Sequence, residues 1–188
     1  QLTPSEGRVL FKGEEINALP PHKRAALGLG RTFQIAKTLT SLTTLENALV
    51  GAFLRHRRLA DAEAVAMQAL ERVGLGKRAH VSAWNLTLGE RRRLEVARAL
   101  ATEPEIILLD EVMAGMNPAE IDAAIELFVG LHGEGHSFLV IEHNLKVVRA
   151  FSQRVIVLDH GALIAEGTPE QVLTDPAVIE AYIGRKRA

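Results

Sequence analysis

Cysteine is absent from the 188 residues, which excludes disulfides and thiolate metal sites and fits a reducing compartment. Aromatic residues make up only 4%. None is interleaved with the two basic runs, Arg91-Arg92-Arg93 and Arg55-His56-Arg57-Arg58, so neither is expected to be a nucleic-acid patch, and the first is read as the solvated face of a helix. Neither sign of charge dominates: 22 basic residues face 23 acidic ones, and no broad field draws the chain to a polyanion or an acidic lipid surface. No apolar run approaches the roughly 20 residues of a membrane helix, so any membrane channel is expected on another chain. What remains is a 47% hydrophobic sequence without repeats or low-complexity segments. At this length it can bury one substantial core with a small subdomain.

Turn and capping signals divide the chain. Arg8-Val9-Leu10-Phe11 reads as a short strand between Gly7 and Gly13, after which Pro20-Pro21 interrupts regular structure. Thr43 and Glu46 have capping-box spacing ahead of Ala48-Leu49-Val50, and Val65, Leu70 and Val73 give a helical stripe ending at Gly74. Residues 43–101 are therefore predicted to be mostly helical. A strand follows over 105–110, then a helix starts at Asn117-Pro118, with Glu120 three residues after the cap. Two more apolar strands, Ser137–Ile141 and Arg154–Leu158, flank a helical segment near 144–150, and the alternation implies parallel pairing. Helix starts at Thr168-Pro169, with Gln171, and at Asp175-Pro176 complete the pattern.

Two of these elements carry chemistry. Thr87 and Glu90 form a second capping box, so a helix should begin at Leu88 with free backbone N–H groups aimed outward, an end that binds phosphate. The apolar run Ile106-Ile107-Leu108-Leu109 suits a strand buried on both faces. It delivers Asp110 and Glu111 to its carboxyl end, where open α/β sheets bind ligands. One acid can hold Mg²⁺ while its neighbour activates water, the division of labour an ATPase needs.

At these residues the chain resembles the ATP-binding subunits of ABC transporters. Leu86 to Glu90 stands at the signature loop and Ile106 to Glu111 at the Walker B strand. Arg31-Thr32-Phe33-Gln34 matches the Q-loop, Ala114-Gly115-Met116-Asn117-Pro118 the D-loop, and Ile141-Glu142-His143 the switch-histidine segment. Leu19 to His22, Gly30 to Gln34, Ala165 to Pro169 and Val178 to Gly184 look most like the ATPases of branched-chain amino acid importers. The resemblance implies a P-loop-type ATPase core with a parallel sheet and a helical subdomain. It divides the chain into a sheet edge and Q-loop (1–38), a helical subdomain with the signature loop (39–97), a catalytic core (98–165) and C-terminal helices (166–188).

The resemblance also assigns roles. Asp110 would hold Mg²⁺, Glu111 would polarise the attacking water, and His143 would hydrogen-bond the γ-phosphate. Gln34 would touch Mg²⁺ or its water and signal to the helices that follow. Thr87, Leu88, Gly89 and Glu90 would contact ATP bound on a second subunit, alike or closely related. Leu88 departs from the family's glycine and loses its access to positive φ, and Glu90 places negative charge near a phosphate. Val112 stands for the usual proline and Asn117 for the usual D-loop aspartate. Trp84, beside the signature loop, is read as a packing residue, and the basic tail Arg185 to Arg187 as solvated. Implied partners are transmembrane permease subunits and a periplasmic or extracellular solute-binding protein, with the subunit peripheral to the cytoplasmic face of the plasma membrane and no nucleic acid involved.

No window satisfies the phosphate cradle Gly-x-x-x-x-Gly-Lys-Ser/Thr; at Gly76-Lys77 the first glycine's place holds Glu71 and the hydroxyl's place Arg78. The sequence is read as an amino-terminally truncated subunit lacking the N-terminal strand and P-loop, and these residues alone are expected to be inactive. Two rivals stand beside a transport ATPase. One is a DNA-repair or chromosome-organising machine, which needs a long coiled coil that Ile35 to Asn85, without sustained heptads, does not offer. The other is a non-catalytic interaction module.

Overall fold

The computed structural model describes residues 4–32 and 38–183. Strands β1 (Leu10–Phe11) and β2 (Glu14–Glu15) form a small antiparallel hairpin, so the strand expected over residues 8–11 is confined to its last two. Lys12 and Gly13 both take positive φ, 52° and 82°, as a two-residue turn matched to strand twist demands. The diproline does more than interrupt: Pro21 opens helix α1 (Pro21–Leu27), where a fixed φ and a missing N–H suit the first turn. The short strand β3 (Leu29–Arg31) follows.

Helices α2 (Thr44–Ala52), α3 (Leu59–Arg72) and α4 (Leu88–Leu100) come next, with 3-10 turns at Gly76–Arg78 and Ala83–Asn85. Reciprocal capping boxes at Thr43/Glu46 and Thr87/Glu90 start α2 and α4, because each side-chain pair satisfies donors that have no carbonyl in the first turn. Small residues let the three helices approach: Ala48, Ala52, Ala62, Ala66 and Ala97 are fully buried. At Gly51 a Cβ would collide with the Arg98 carbonyl of α4. Buried Asn47 ties the preceding turn down, its amide bonding Leu39 N–H at 2.9 Å, Leu39 C=O at 3.0 Å and Thr43 C=O at 2.9 Å.

The chain then alternates through β4 (Ile106–Asp110), α5 (Pro118–Gly133), β5 (Ser137–Ile141), α6 (Leu145–Phe151), β6 (Val155–Asp159), β7 (Ala162–Gly167), α7 (Pro169–Leu173) and α8 (Pro176–Ile183). Strands β3, β4 and β5 make a parallel sheet in that order, with Arg31 opposite Leu108 and Asp110 opposite Ile141. Phe128, Phe138 and Phe151 meet with centroids 5.1–5.8 Å apart and pin α5, β5 and α6 together.

Two expectations are corrected. Strand β6 does not extend the parallel sheet; it pairs antiparallel with β7. His160 and Gly161, at φ 46° and 84°, close a two-residue turn, and joining sequence neighbours costs less loop entropy than reaching back to β5. Nor is β4 equally buried on both faces: Ile107 and Leu109 are enclosed by the helical core, whereas Ile106 and Leu108 are half-buried. The second edge of β5 has no strand partner among the described residues. Beside it Leu139 and Ile141 remain 55% and 58% exposed.

Candidate functional site

Parallel pairing brings the carboxyl ends of β3, β4 and β5 together. Thr32, just past β3, donates its backbone N–H to Leu108 C=O at 3.0 Å. Its buried hydroxyl lies 3.4 Å from both the Leu108 carbonyl, to which it donates, and the Asp110 N–H, from which it accepts. Asp110 is thus fixed at the strand end, with its carboxylate 3.5 Å from the Arg31 guanidinium. Glu111 leaves the strand line: its N–H still bonds Ile141 C=O at 3.0 Å, but φ is +46°. That left-handed conformation is uncommon for a side-chain-bearing residue, and here it is shared by Lys12, Glu103 and His160. It sets Glu111 Oε1 3.7 Å from His143 Nδ1. Glu142, from the same post-β5 segment, accepts the Met113 N–H at 3.3 Å and anchors the loop after Glu111. Tyr182 of α8 donates its hydroxyl to the His143 carbonyl at 3.4 Å.

Among the described residues no three His, Asp or Glu side chains form a metal cage. Mg²⁺ needs none, since it keeps several waters and binds through one or two carboxylates plus substrate phosphates. Adjacent carboxylates at a strand end fit that ion, and the Asp110 side chain is 27% exposed, open enough to share a ligand. Of a carboxylate and imidazole held side by side, the carboxylate can accept a proton from water and the imidazole can donate a hydrogen bond to an anion.

The helix start expected at Leu88 is present. Glu90 N–H donates to Thr87 Oγ1 at 3.2 Å, and Thr87 N–H donates to Glu90 Oε2 at 2.9 Å. The first intrahelical bond, from Arg91 N–H to Thr87 C=O, leaves the Leu88 and Gly89 N–H groups without intrahelical partners at the start of α4, with Leu88 exposed and Gly89 buried. Leu88 is absent from the positive-φ positions, so the lost glycine freedom is not called on here. The Glu90 charge is offset within the chain by Arg78 at 3.2 Å. A Cβ on Gly89 would collide with the carboxylate of Glu120, the capping partner of Asn117 at the start of α5; the signature and D-loop segments therefore pack on each other in one chain. Phe33, Gln34 and the basic tail Arg185 to Arg187 lie outside the described residues.

Two surface readings change. Arg91-Arg92-Arg93 is not a plain solvated face. Arg91 donates to the carbonyls of Leu86 at 3.1 Å and Trp84 at 2.7 Å, Arg92 is buried, and Arg93 donates to Val73 C=O at 3.2 Å. Backbone carbonyls ahead of α4 and after α3 need donors, and Arg91 and Arg93 supply them. Trp84 is 68% exposed rather than packed, with the Arg91 guanidinium 5.9 Å from its ring centroid. Arg31, Thr32 and Glu142 were not singled out from sequence; they stand inside matched segments, but only the pairing of strands reveals what each holds.

Residues 1–114 match the family described as ABC transporter, and residues 162–188 match that of the branched-chain amino acid ATP-binding cassette transporter. The chain belongs to the ABC transporter ATPase family. This family hydrolyses ATP. The chain is 40% identical to the high-affinity branched-chain amino acid transport ATP-binding protein BraF of Pseudomonas aeruginosa, covering 96% of this chain and 77% of BraF. It is 34% identical to the lipopolysaccharide export system ATP-binding protein LptB of Haemophilus influenzae, covering 96% and 76%. Its fold matches the ADP conformation of MJ1267, an ATP-binding cassette of an ABC transporter, with a TM-score of 0.85 and 31% identity over 98% of this chain and 79% of that one. A dimeric post-hydrolysis state of the cassette MJ0796 with ADP and Pi aligns with a TM-score of 0.80 and 25% identity, over 89% and 75%. The parallel α/β fold of an ABC ATPase read from the sequence is thus the observed one, and no helix among the described residues is long and apolar enough to cross a membrane.

Proposed function

We propose that Asp110, Glu111 and His143 form the hydrolytic centre of an ABC subunit that energises uptake of branched-chain amino acids or similar small solutes. The observation that carries this reading is the meeting of Glu111 and His143, 32 positions apart in sequence, at 3.7 Å across adjacent strand ends. Glu111 takes the proton of the attacking water. His143 donates a hydrogen bond to the γ-phosphate, where charge develops in the transition state. Asp110 and Gln34 are the residues that would hold Mg²⁺, which neutralises phosphate charge when bound. Arg31 balances Asp110 until then.

Thr87, Leu88 and Gly89 offer the open end of α4 to ATP on a second subunit, and Glu90 supports that end through its capping bonds; the dimeric state of MJ0796 supports this arrangement. Residues 39–97 form the helical subdomain, between 1–38 and the catalytic segment 98–165 with its C-terminal helices 166–188. Permease subunits and a solute-binding protein complete the system, with this subunit peripheral on the cytoplasmic side. Import of a branched-chain amino acid is favoured by the match over residues 162–188 and by BraF. Export is the second reading, supported by the similarity to LptB. Uptake of labelled leucine by cells lacking the gene decides between them. Wild type should restore uptake and His143→Ala should lower it by about 10²-fold, the usual loss for one transition-state hydrogen-bond donor; uptake indifferent to the deletion contradicts import.

A further inference from the structure

A cleft of about 220 Å³ opens between the end of α3, the middle of α4 and α5. Its lining is largely apolar, with Met116 and Leu127 half-buried over buried Val96 and Phe128, Arg72, Arg92 and Arg93 also line it, and no acidic residue does. Arg72 is matched by Glu134 at 2.7 Å, and Arg92 is only 7% exposed. Arg93 spends one N–H on the Val73 carbonyl at 3.2 Å and has no carboxylate partner among the described residues. A guanidinium beside apolar surface is far better placed when an anion completes its fork.

We propose that this cleft binds a small aliphatic monocarboxylate, with its head on Arg93 and its tail along the half-buried Met116 and Leu127. At about 220 Å³ the cleft has room for a short fatty acid. A free phosphate has no aliphatic tail to cover the apolar part of the lining. The tail's contact with Met116, directly before Asn117, lies over buried Val112, directly after Glu111. It thereby wedges the helical layer that carries the signature helix against the loop of the hydrolytic centre. The site is distinct from that centre and does not depend on it.

Calorimetric titration of the protein with hexanoate, hexanol and hexylammonium tests the assignment. Hexanoate should bind saturably at one site, hexanol at least about tenfold more weakly because it cannot complete a charged hydrogen bond, and hexylammonium not at all. Arg93→Gln should weaken hexanoate by about the same factor. Ala123→Phe, on the exposed rim of the cleft, should block it without disturbing the core. No saturable hexanoate binding, equal affinity for hexanol, or affinity unchanged in both variants would each overturn the proposal.

Discussion

Glu111 carries an internal conflict. Its side chain is wanted next to His143, yet its backbone sits at φ +46°, a region that costs a residue with a Cβ roughly 1–2 kcal/mol. If function sustains that strain, glycine at this position should relieve it. Glu111→Ala and Glu111→Gly both remove the carboxylate and differ mainly in the Cβ, so the glycine variant is expected to be about 1 kcal/mol more stable. Urea denaturation midpoints at equal m-value measure the difference. Equal stability would show that the left-handed turn is unstrained.

Among the elements, helix starts were the most legible part of the sequence, because a capping box is a local device. Thr43/Glu46, Thr87/Glu90, Asn117/Glu120 and Thr168/Gln171 all cap their helices reciprocally. Glu46 shows the electrostatic side of this: hydrogen bonds from the Thr43 backbone and hydroxyl hold its carboxyl below the ordinary value. Its stabilisation is therefore complete above the usual carboxylate range and is lost as pH falls through the lowered folded value. Thr43→Ala should cost about 1 kcal/mol at neutral pH and less in acid, by thermal melts at both; a pH-independent loss would contradict the carboxylate's part. Strand partners were less legible, since nothing in Val155–Asp159 alone says whether it pairs with β5 or turns back through His160-Gly161. The unpaired β5 edge is the element most exposed to error in solution. Leu139→Lys, at a half-open position, should leave stability within about 0.5 kcal/mol and lower the light scattering of concentrated protein. Unchanged scattering would place the association surface elsewhere.

At the scale of the whole molecule, the site is an assembly of strand ends from three separated stretches. Asp110, Glu111 and His143 could be picked out in the sequence as candidates because each follows an apolar run at its expected place. Arg31, Thr32 and Glu142 could not, because their contacts exist only once β3 and β5 lie beside β4. The reading of the molecule as a hydrolytic subunit turns on Glu111 as the base, and the full-length subunit bearing Glu111→Gln tests it most directly. Steady-state phosphate release should fall by roughly 10²–10⁴-fold, the range for loss of a positioned general base, while ATP affinity is retained and an ATP-bound dimer accumulates in sizing experiments. Phosphate release at the wild-type rate would contradict the account.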